Sequence, residues 1–250
     1  MKKIIFLMAL ATTVIGSTGI RAQIKNIVLV HGAFADGSSW RKVYTILKDR
    51  GYNVSIVGNP NTGIEDDVAA TNRVLERQKG PVILVGHSYG GAIITIAGNS
   101  PNVAGLVYVA AFAPDKGESL SKMLSTYPAD PLNGILAPKA GFAWYDLAKY
   151  HAGFCADLSK SEADFMAASQ VPVAASGFTY VFKDIAWKTK PSWHIVAKED
   201  HSLPTELERF MGKRAGGKVY EIKGSHVIFI SHAREVADII EAAAKGAASK

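Results

Sequence analysis

Two patterns alternate along the first part of this chain. Short apolar runs rich in β-branched residues occupy 24–30, 54–57, 82–85 and 103–111. They are long enough for buried strands and too short for buried helices. Between them lie stretches with helix start and stop chemistry. Ser38 or Ser39 can cap a helix reaching about Arg50 and closed by Gly51. Glu65, Asp66 and Asp67 fall in the first turn of a second helix, from Ile64 to about Gln78, where the macrodipole favours acids. A third, wholly apolar helix is expected over 90–97. The rhythm resumes with a strand at 192–197, a helix from Pro204 to about Arg214, a strand at 218–222 and a closing helix from Ala233 to about Ala244. Strands alternating with helices at this spacing predict βαβ units, and hence an α/β fold with a mostly parallel sheet covered on both faces. From about 115 to 190 the pattern breaks. That stretch, rich in Pro, Ala, Phe and Trp, shows helical pieces near 144–151 and 161–169 and no convincing strand. It reads as a helical lid inserted over the carboxyl edge of the sheet, where open α/β sheets bind ligands.

Composition adds limits. The chain has 250 residues, 48% of them hydrophobic and 20% charged, which suits a single domain over 23–250. Lys2 and Lys3 precede an apolar run from Ile4 to Ile15, then small residues and Ala22. This is the composition of a cleavable export segment over 1–22, with an apolar run too short for a stable membrane span. Export to the periplasm or the medium is therefore expected. Its removal takes Lys2, Lys3 and Arg21, so the net charge of +6 becomes +3. No run of basic residues interleaved with aromatics remains to suggest nucleic acid. Cys155 is the only cysteine, which excludes an internal disulfide and favours a buried, inert thiol. No metal-binding motif and no glycine-rich phosphate loop occurs, so no cofactor or metal is expected. Oligomeric state is not legible.

The strand at 82–85 and the helix at 90–97 leave only Gly86-His-Ser-Tyr-Gly-Gly91 to turn the corner. A turn that tight tolerates no Cβ at Gly86 or Gly90 and presents Ser88 at a helix N-terminus. The Tyr89 N–H there lacks an intrahelical acceptor and can stabilise an oxyanion formed when Ser88 attacks a carbonyl. The pattern is G-x-S-x-G, the nucleophile elbow. A serine hydroxyl needs a base, and the base an orienting acid. Of seven histidines, His31 and His87 sit beside glycines in loops, where they would hold backbone; His151 falls in the lid and His194 within a strand. Of His201, His226 and His232, His226 directly follows the last strand and can swing back over Ser88, whereas His232 suits a cap of the last helix. The acid is expected after the preceding strand, at Asp200, with Glu199 the adjacent rival and Asp115 a more distant one. The order Ser88, Asp200, His226 is that of α/β-hydrolases.

These residues carry a resemblance. His31-Gly32-Ala33, Gly86-His-Ser-Tyr-Gly90, Glu199-Asp200 and Gly224-Ser-His-Val-Ile-Phe-Ile230 resemble the α/β-hydrolase family, in the branch of plant methylesterases, hydroxynitrile lyases and similar small bacterial serine hydrolases. The resemblance runs from Ile24 almost to the C-terminus and is weakest in the lid. It implies a Ser88, Asp200, His226 triad and oxyanion donors on the backbone of Ala33 and Tyr89. In the lyases the position of Gly32 carries a hydroxyl residue and the position after the catalytic histidine a lysine, so Gly32 and Val227 disfavour cyanohydrin cleavage. Hydrolysis of a small, apolar or aromatic ester is the expected activity, with Phe34, Tyr89, Phe112, Trp144, Leu203 and Val227 as candidate pocket residues. A thioesterase, lactonase or perhydrolase would use the same triad. A ligand receptor with little turnover would differ only in showing no Ser88-dependent rate.

Overall fold

Strands form where the apolar runs fall, because a strand buried on both faces needs side chains that are apolar on each. The computed structural model describes residues 23–248; the expected export segment, 1–22, lies outside them. In order come β1 (Asn26–Val30), α1 (Arg41–Asp49), β2 (Asn53–Val57), α2 (Ile64–Glu76), β3 (Val82–His87), α3 (Tyr89–Ala97) and β4 (Val103–Val109). The insertion then carries α4 (Leu120–Leu124), β5 (Phe142–Ala143), α5 (Leu147–Phe154), α6 (Lys160–Ala168), β6 (Val173–Ala174) and α7 (Ala175–Thr179). The chain closes with β7 (Ser192–Ala197), α8 (Thr205–Arg214), β8 (Lys218–Ile222), α9 (Ile228–Ser231) and α10 (Ala233–Ala248).

Six strands form one parallel sheet in the order β2-β1-β3-β4-β7-β8. Helices α1 and α10 pack together on the sheet, as do α2 and α3. Because right-handed crossovers lead from β1 outward to β2 and then back across to β3, these pairs cover opposite faces. The chain reverses direction at β1 and β3, so the loops leaving their carboxyl ends part and open a crevice. No helix among the described residues is long and apolar enough to cross a membrane.

Three local expectations shift. Asp36, not Ser38 or Ser39, starts the first helical region: its side chain accepts from Ser38 N at 2.6 Å and opens a 3₁₀ turn, Gly37–Trp40, that leads into α1. A carboxylate two residues upstream reaches that amide directly, while Ser39 Oγ is engaged with Asp36 O. Pro204 is the residue before α8, not its first, with ψ 122° still extended. The insertion also contains a strand pair, β5 and β6, antiparallel and two residues each. Such strands are too short for a periodic pattern, and 29 residues of chain separate the paired Ala143 and Val173.

Candidate active site

The elbow is built as its glycines require. An added Cβ at Gly86 would lie 2.5 Å from Gly90 O, and one at Gly90 2.7 Å from His31 O. Ser88 takes φ 53°, ψ −121°, a left-handed conformation that is costly for a residue with a side chain and is maintained by its surroundings. Its own N–H donates to Val109 O at 3.2 Å, and its carbonyl accepts from Gly91 N at 2.9 Å and Phe112 N at 3.2 Å. The strained backbone is thus tied on both sides to β4 and the loop after it.

The structure brings Ser88, His226 and Asp200 into one chain of hydrogen bonds. Asp200 follows β7, and its Oδ2 lies 2.5 Å from His226 Nδ1; His226 follows β8, and its Nε2 lies 2.8 Å from Ser88 Oγ. All three are buried. Asp200 Oδ1 accepts from Ser202 N at 2.7 Å and Leu203 N at 2.8 Å, which holds the carboxylate and leaves Oδ2 for the imidazole. With Nδ1–H donating to Asp200, Nε2 keeps its lone pair for the Ser88 hydroxyl proton. The rival acids are elsewhere. Glu199 is half exposed and pairs with Lys223 at 3.5 Å, and Asp115 pairs with Lys188 at 2.5 Å.

The other histidines separate by environment. His87 packs 4.7 Å from the His226 ring and its Nε2–H donates to His226 O at 3.0 Å, which ties the His226 backbone to the end of β3. Burial, and then the neighbouring His226, hold His87 well below the usual imidazole range, so it stays neutral there. His31 bonds Gly32 O at 2.9 Å and His151 bonds Leu158 O at 2.9 Å. His194 stacks on Tyr108 at 4.6 Å, pushed down by burial to about 3. His201 pairs with Asp130 at 2.8 Å. His232 precedes α10, its carbonyl accepting from Val236 N at 3.0 Å while its ring bonds Ser231. The lone Cys155 thiol is buried, which pushes it up to about 12. Among the described residues no three His, Cys, Asp or Glu side chains converge as a metal site needs.

A cavity opens beside Ser88, walled by Ala33, Phe34, Tyr89, Phe112 and Leu203 as well as by His226. Ala33 and Tyr89, expected to supply oxyanion donors, therefore both line the cavity beside Ser88. Trp144 and Val227 do not line it. Trp144 is 44% exposed, with Ala143 and Tyr145 on either side of it buried. In the extended chain leaving β5, side chains alternate faces, so Tyr145 turns inward and Trp144 out. Val227 is fully buried in the core just before α9. The sequence reading missed Leu124, Ile135, Tyr145, Phe154, Phe178 and Ser202, all of which line the cavity. Five of them come from the insertion, whose course over the sheet no local pattern reveals.

The free space in that cavity is only about 20 Å³, room for about one water. Leu124, Ile135 and Ser202 also border a second, broad groove of about 890 Å³ between the Tyr127–Asn133 stretch of the insertion and the segment after β7. These side chains are shared by the cavity beside Ser88 and the open groove.

This fold, with a serine elbow at the carboxyl end of the third strand, is that of the α/β hydrolases. The chain belongs to the alpha/beta hydrolase family, whose model matches residues 27–239. Its relatives include esterases and hydrolases, and also salicylic acid-binding protein 2 of Nicotiana tabacum, 27% identical over 88% of this chain and 98% of its own. A pyrethroid hydrolase of Sphingobium wenxiniae is 27% identical over 87% of this chain and 86% of its own. Methylesterase 8 of Arabidopsis thaliana is 25% identical over 75% of this chain and 76% of its own. A carbendazim-hydrolyzing esterase of Nocardioides is 34% identical, but over 40% of this chain and 47% of that esterase, so the match spans less than half its length. Among solved structures, the pyrethroid hydrolase PytH superposes with a TM-score of 0.77 at 23% identity, covering 91% of this chain and 100% of its own. Polyneuridine aldehyde esterase gives 0.75 at 22% identity over 87% and 98%. At these identities the superpositions show a shared fold.

Proposed function

We propose that this protein hydrolyses carboxylic esters through an acyl-enzyme on Ser88. The observation that carries this reading is the unbroken chain from Asp200 Oδ2 through His226 to Ser88 Oγ, with the hydroxyl poised over the N-terminus of α3. In the first half-reaction Ser88 Oγ attacks the ester carbonyl while His226 Nε2 takes its proton. The oxyanion is held by the Ala33 and Tyr89 amides. The imidazolium, stabilised by Asp200, returns its proton to the departing alkoxide as the C–O bond breaks. Water then repeats the sequence on the acyl-enzyme, releasing the acid and restoring Ser88. No resident cofactor enters this cycle.

The aromatic and aliphatic walls suit a compact apolar or aromatic group next to Ser88, and the relatives' names point to esters as well. Because the cavity holds about one water, an ester needs room made for it, and the Leu124 and Ile135 side is where the cavity meets the open groove. Cyanohydrin cleavage has little support. A Cβ at Gly32 would fall 2.8 Å from Ser88 Cβ, which leaves no place for a hydroxyl side chain, and Val227 is buried and does not line the cavity.

A screen of short aliphatic against aromatic esters with wild-type protein and Ser88→Ala tests the reading. Turnover that requires Ser88 is expected. Turnover that persists in Ser88→Ala would overturn it, and small-molecule binding with no Ser88-dependent turnover would favour a receptor. Export is proposed on the residues of 1–22. Recovery from a host periplasm with Gln23 as first residue would bear it out, and cytoplasmic retention of the intact chain would contradict it.

A further inference from the structure

Behind the triad lies a carboxyl group that the reaction does not use. The buried face of α8 consists of Leu207, Glu208, Met211 and Gly212, and Glu208 is its one charged residue. It is 3% exposed. Its Oε2 accepts the N–H of Ala197, the last residue of β7, at 3.1 Å. Its Oε1 is sealed from solvent and no donor reaches it. Arg209, the next residue, points outward and is committed to Glu206 and Glu221. The group that Glu208 faces is the carboxyl of Asp200.

Two adjacent carboxyls shut away from water cannot both be ionised, because neither charge is solvated and each repels the other. The proton resides where negative charge is less supported. Asp200 accepts three N–H bonds, from Ser202, Leu203 and His226. Glu208 accepts one. A carboxylate offers about four acceptor positions, so Asp200 has one to spare. We propose that Glu208 is a neutral carboxylic acid whose Oε1–H donates to Asp200, supplying a fourth hydrogen bond and acting as a positioning residue for the triad.

This arrangement accounts for the otherwise unpartnered Oε1: the atom is a donor. Burial first, then the charge on Asp200, push the Glu208 carboxyl well above the ordinary carboxylate range, while Arg209 opposes only weakly. A fourth bond further restrains the Asp200 carboxylate, so that Oδ2 stays directed at Nδ1. The catalytic consequence rests on the triad reading; the protonation state of Glu208 does not.

Two measurements separate these. Folded Glu208 holds its proton where the unfolded chain loses it, so folding takes up a proton and wild-type stability falls with rising pH. Relative to Glu208→Gln, which has nothing to titrate, the wild-type folding constant should drop about tenfold per pH unit from about pH 5 upward, until Glu208 ionises in the fold. A difference independent of pH would mean that Glu208 is already ionised in the fold and would overturn the proposal. The second measurement is ester turnover. Glu208→Leu, which cannot donate, should lower kcat about tenfold with KM little changed, the cost of a hydrogen bond to a charged acceptor. Glu208→Gln offers an N–H to Asp200 and a C=O to Ala197, and should recover most of that loss with an unshifted pH profile. Equal loss in both variants, or a profile displaced in Glu208→Gln by removal of a negative charge, would overturn the positioning role. Should no ester be turned over by wild-type protein, the triad reading fails, and the stability measurement still decides the state of Glu208.

Discussion

The carboxyl edge of the sheet and the insertion that covers it meet at Ser88, and they are built differently. On the sheet side Ser88, Asp200 and His226 each follow a strand end and are held by backbone hydrogen bonds. Ser88 is tied to Val109 and Phe112, Asp200 to Ser202 and Leu203, and the His226 carbonyl to His87. On the insertion side the wall of the cavity is made of side chains that pack on one another. The rings of Tyr145, Tyr150 and Phe154 lie 4.8–5.4 Å apart, and Phe34 meets Tyr145 edge-on at 5.6 Å. The first arrangement defines positions to within a hydrogen bond. The second defines a shape that repacking can change, and here the shape is nearly closed. The placing of Ser88, Asp200 and His226 is set by strand register, and the shape of the cavity by packing between segments distant in sequence.

Asp157 joins the two regions. It belongs to the insertion, but its carboxylate accepts from Ser225 N and Oγ, next to His226, and from Ser231 Oγ. Although burial alone would raise it, those bonds hold its carboxyl below the ordinary range.

The comparison can be broken at several strengths. Ser88→Ala should cost about a millionfold in turnover with the melting transition intact, if the triad acts as a unit. Asp200→Asn should cost about ten-thousandfold, because His226 would lose its tautomer and the stabilisation of its cation. Glu199→Gln should change little, and a severe loss there would reassign the acid. Gly32→Ala sharpens the claim that the sheet side tolerates no slack. Its methyl would crowd Ser88 Cβ and His87 Nδ1, at 2.8 and 3.0 Å, and a displaced nucleophile should lower kcat about a hundredfold. An unchanged kcat would show that the elbow can yield.

On the insertion side, Leu124→Ala or Ile135→Ala should raise kcat/KM for bulky aromatic esters over acetates by about tenfold, since each removes part of the partition between cavity and groove. Unaltered selectivity would mean that substrates enter elsewhere. The smallest effect concerns Asp67, buried beneath the elbow and hydrogen-bonded to Tyr89 Oη at 3.0 Å. Burial raises it to about 6. Its folded value thus exceeds the unfolded one of about 4, so its contribution to stability is complete below about pH 4 and declines as pH rises through about 6. Asp67→Asn should remove that part of the pH dependence, measured by denaturant titration at several pH values.

Much of the sheet side was legible in the amino-acid sequence. β-Branched runs specify buried strands, glycines at 86 and 90 specify a turn without room for Cβ, and a serine between them can only stand at the helix N-terminus. Those constraints act between residues close along the chain. So does the alternation that turns Tyr145 inward and Trp144 outward, but it could be read only once the two-residue strand β5 was known, because β5 exists through its pairing with β6. Asp200 and Glu199 are both acids after the same strand, and what distinguishes them is which one faces His226 from the neighbouring strand. The insertion's share of the cavity, from Leu124 to Phe178, and the approach of Glu208 to Asp200 likewise depend on how separate segments pack. Local sequence determines which backbone conformations the chain can take, and hence the elbow and the strands. The neighbours of a buried side chain are decided only when distant segments close around it, because burial and shape fit are properties of the assembled fold.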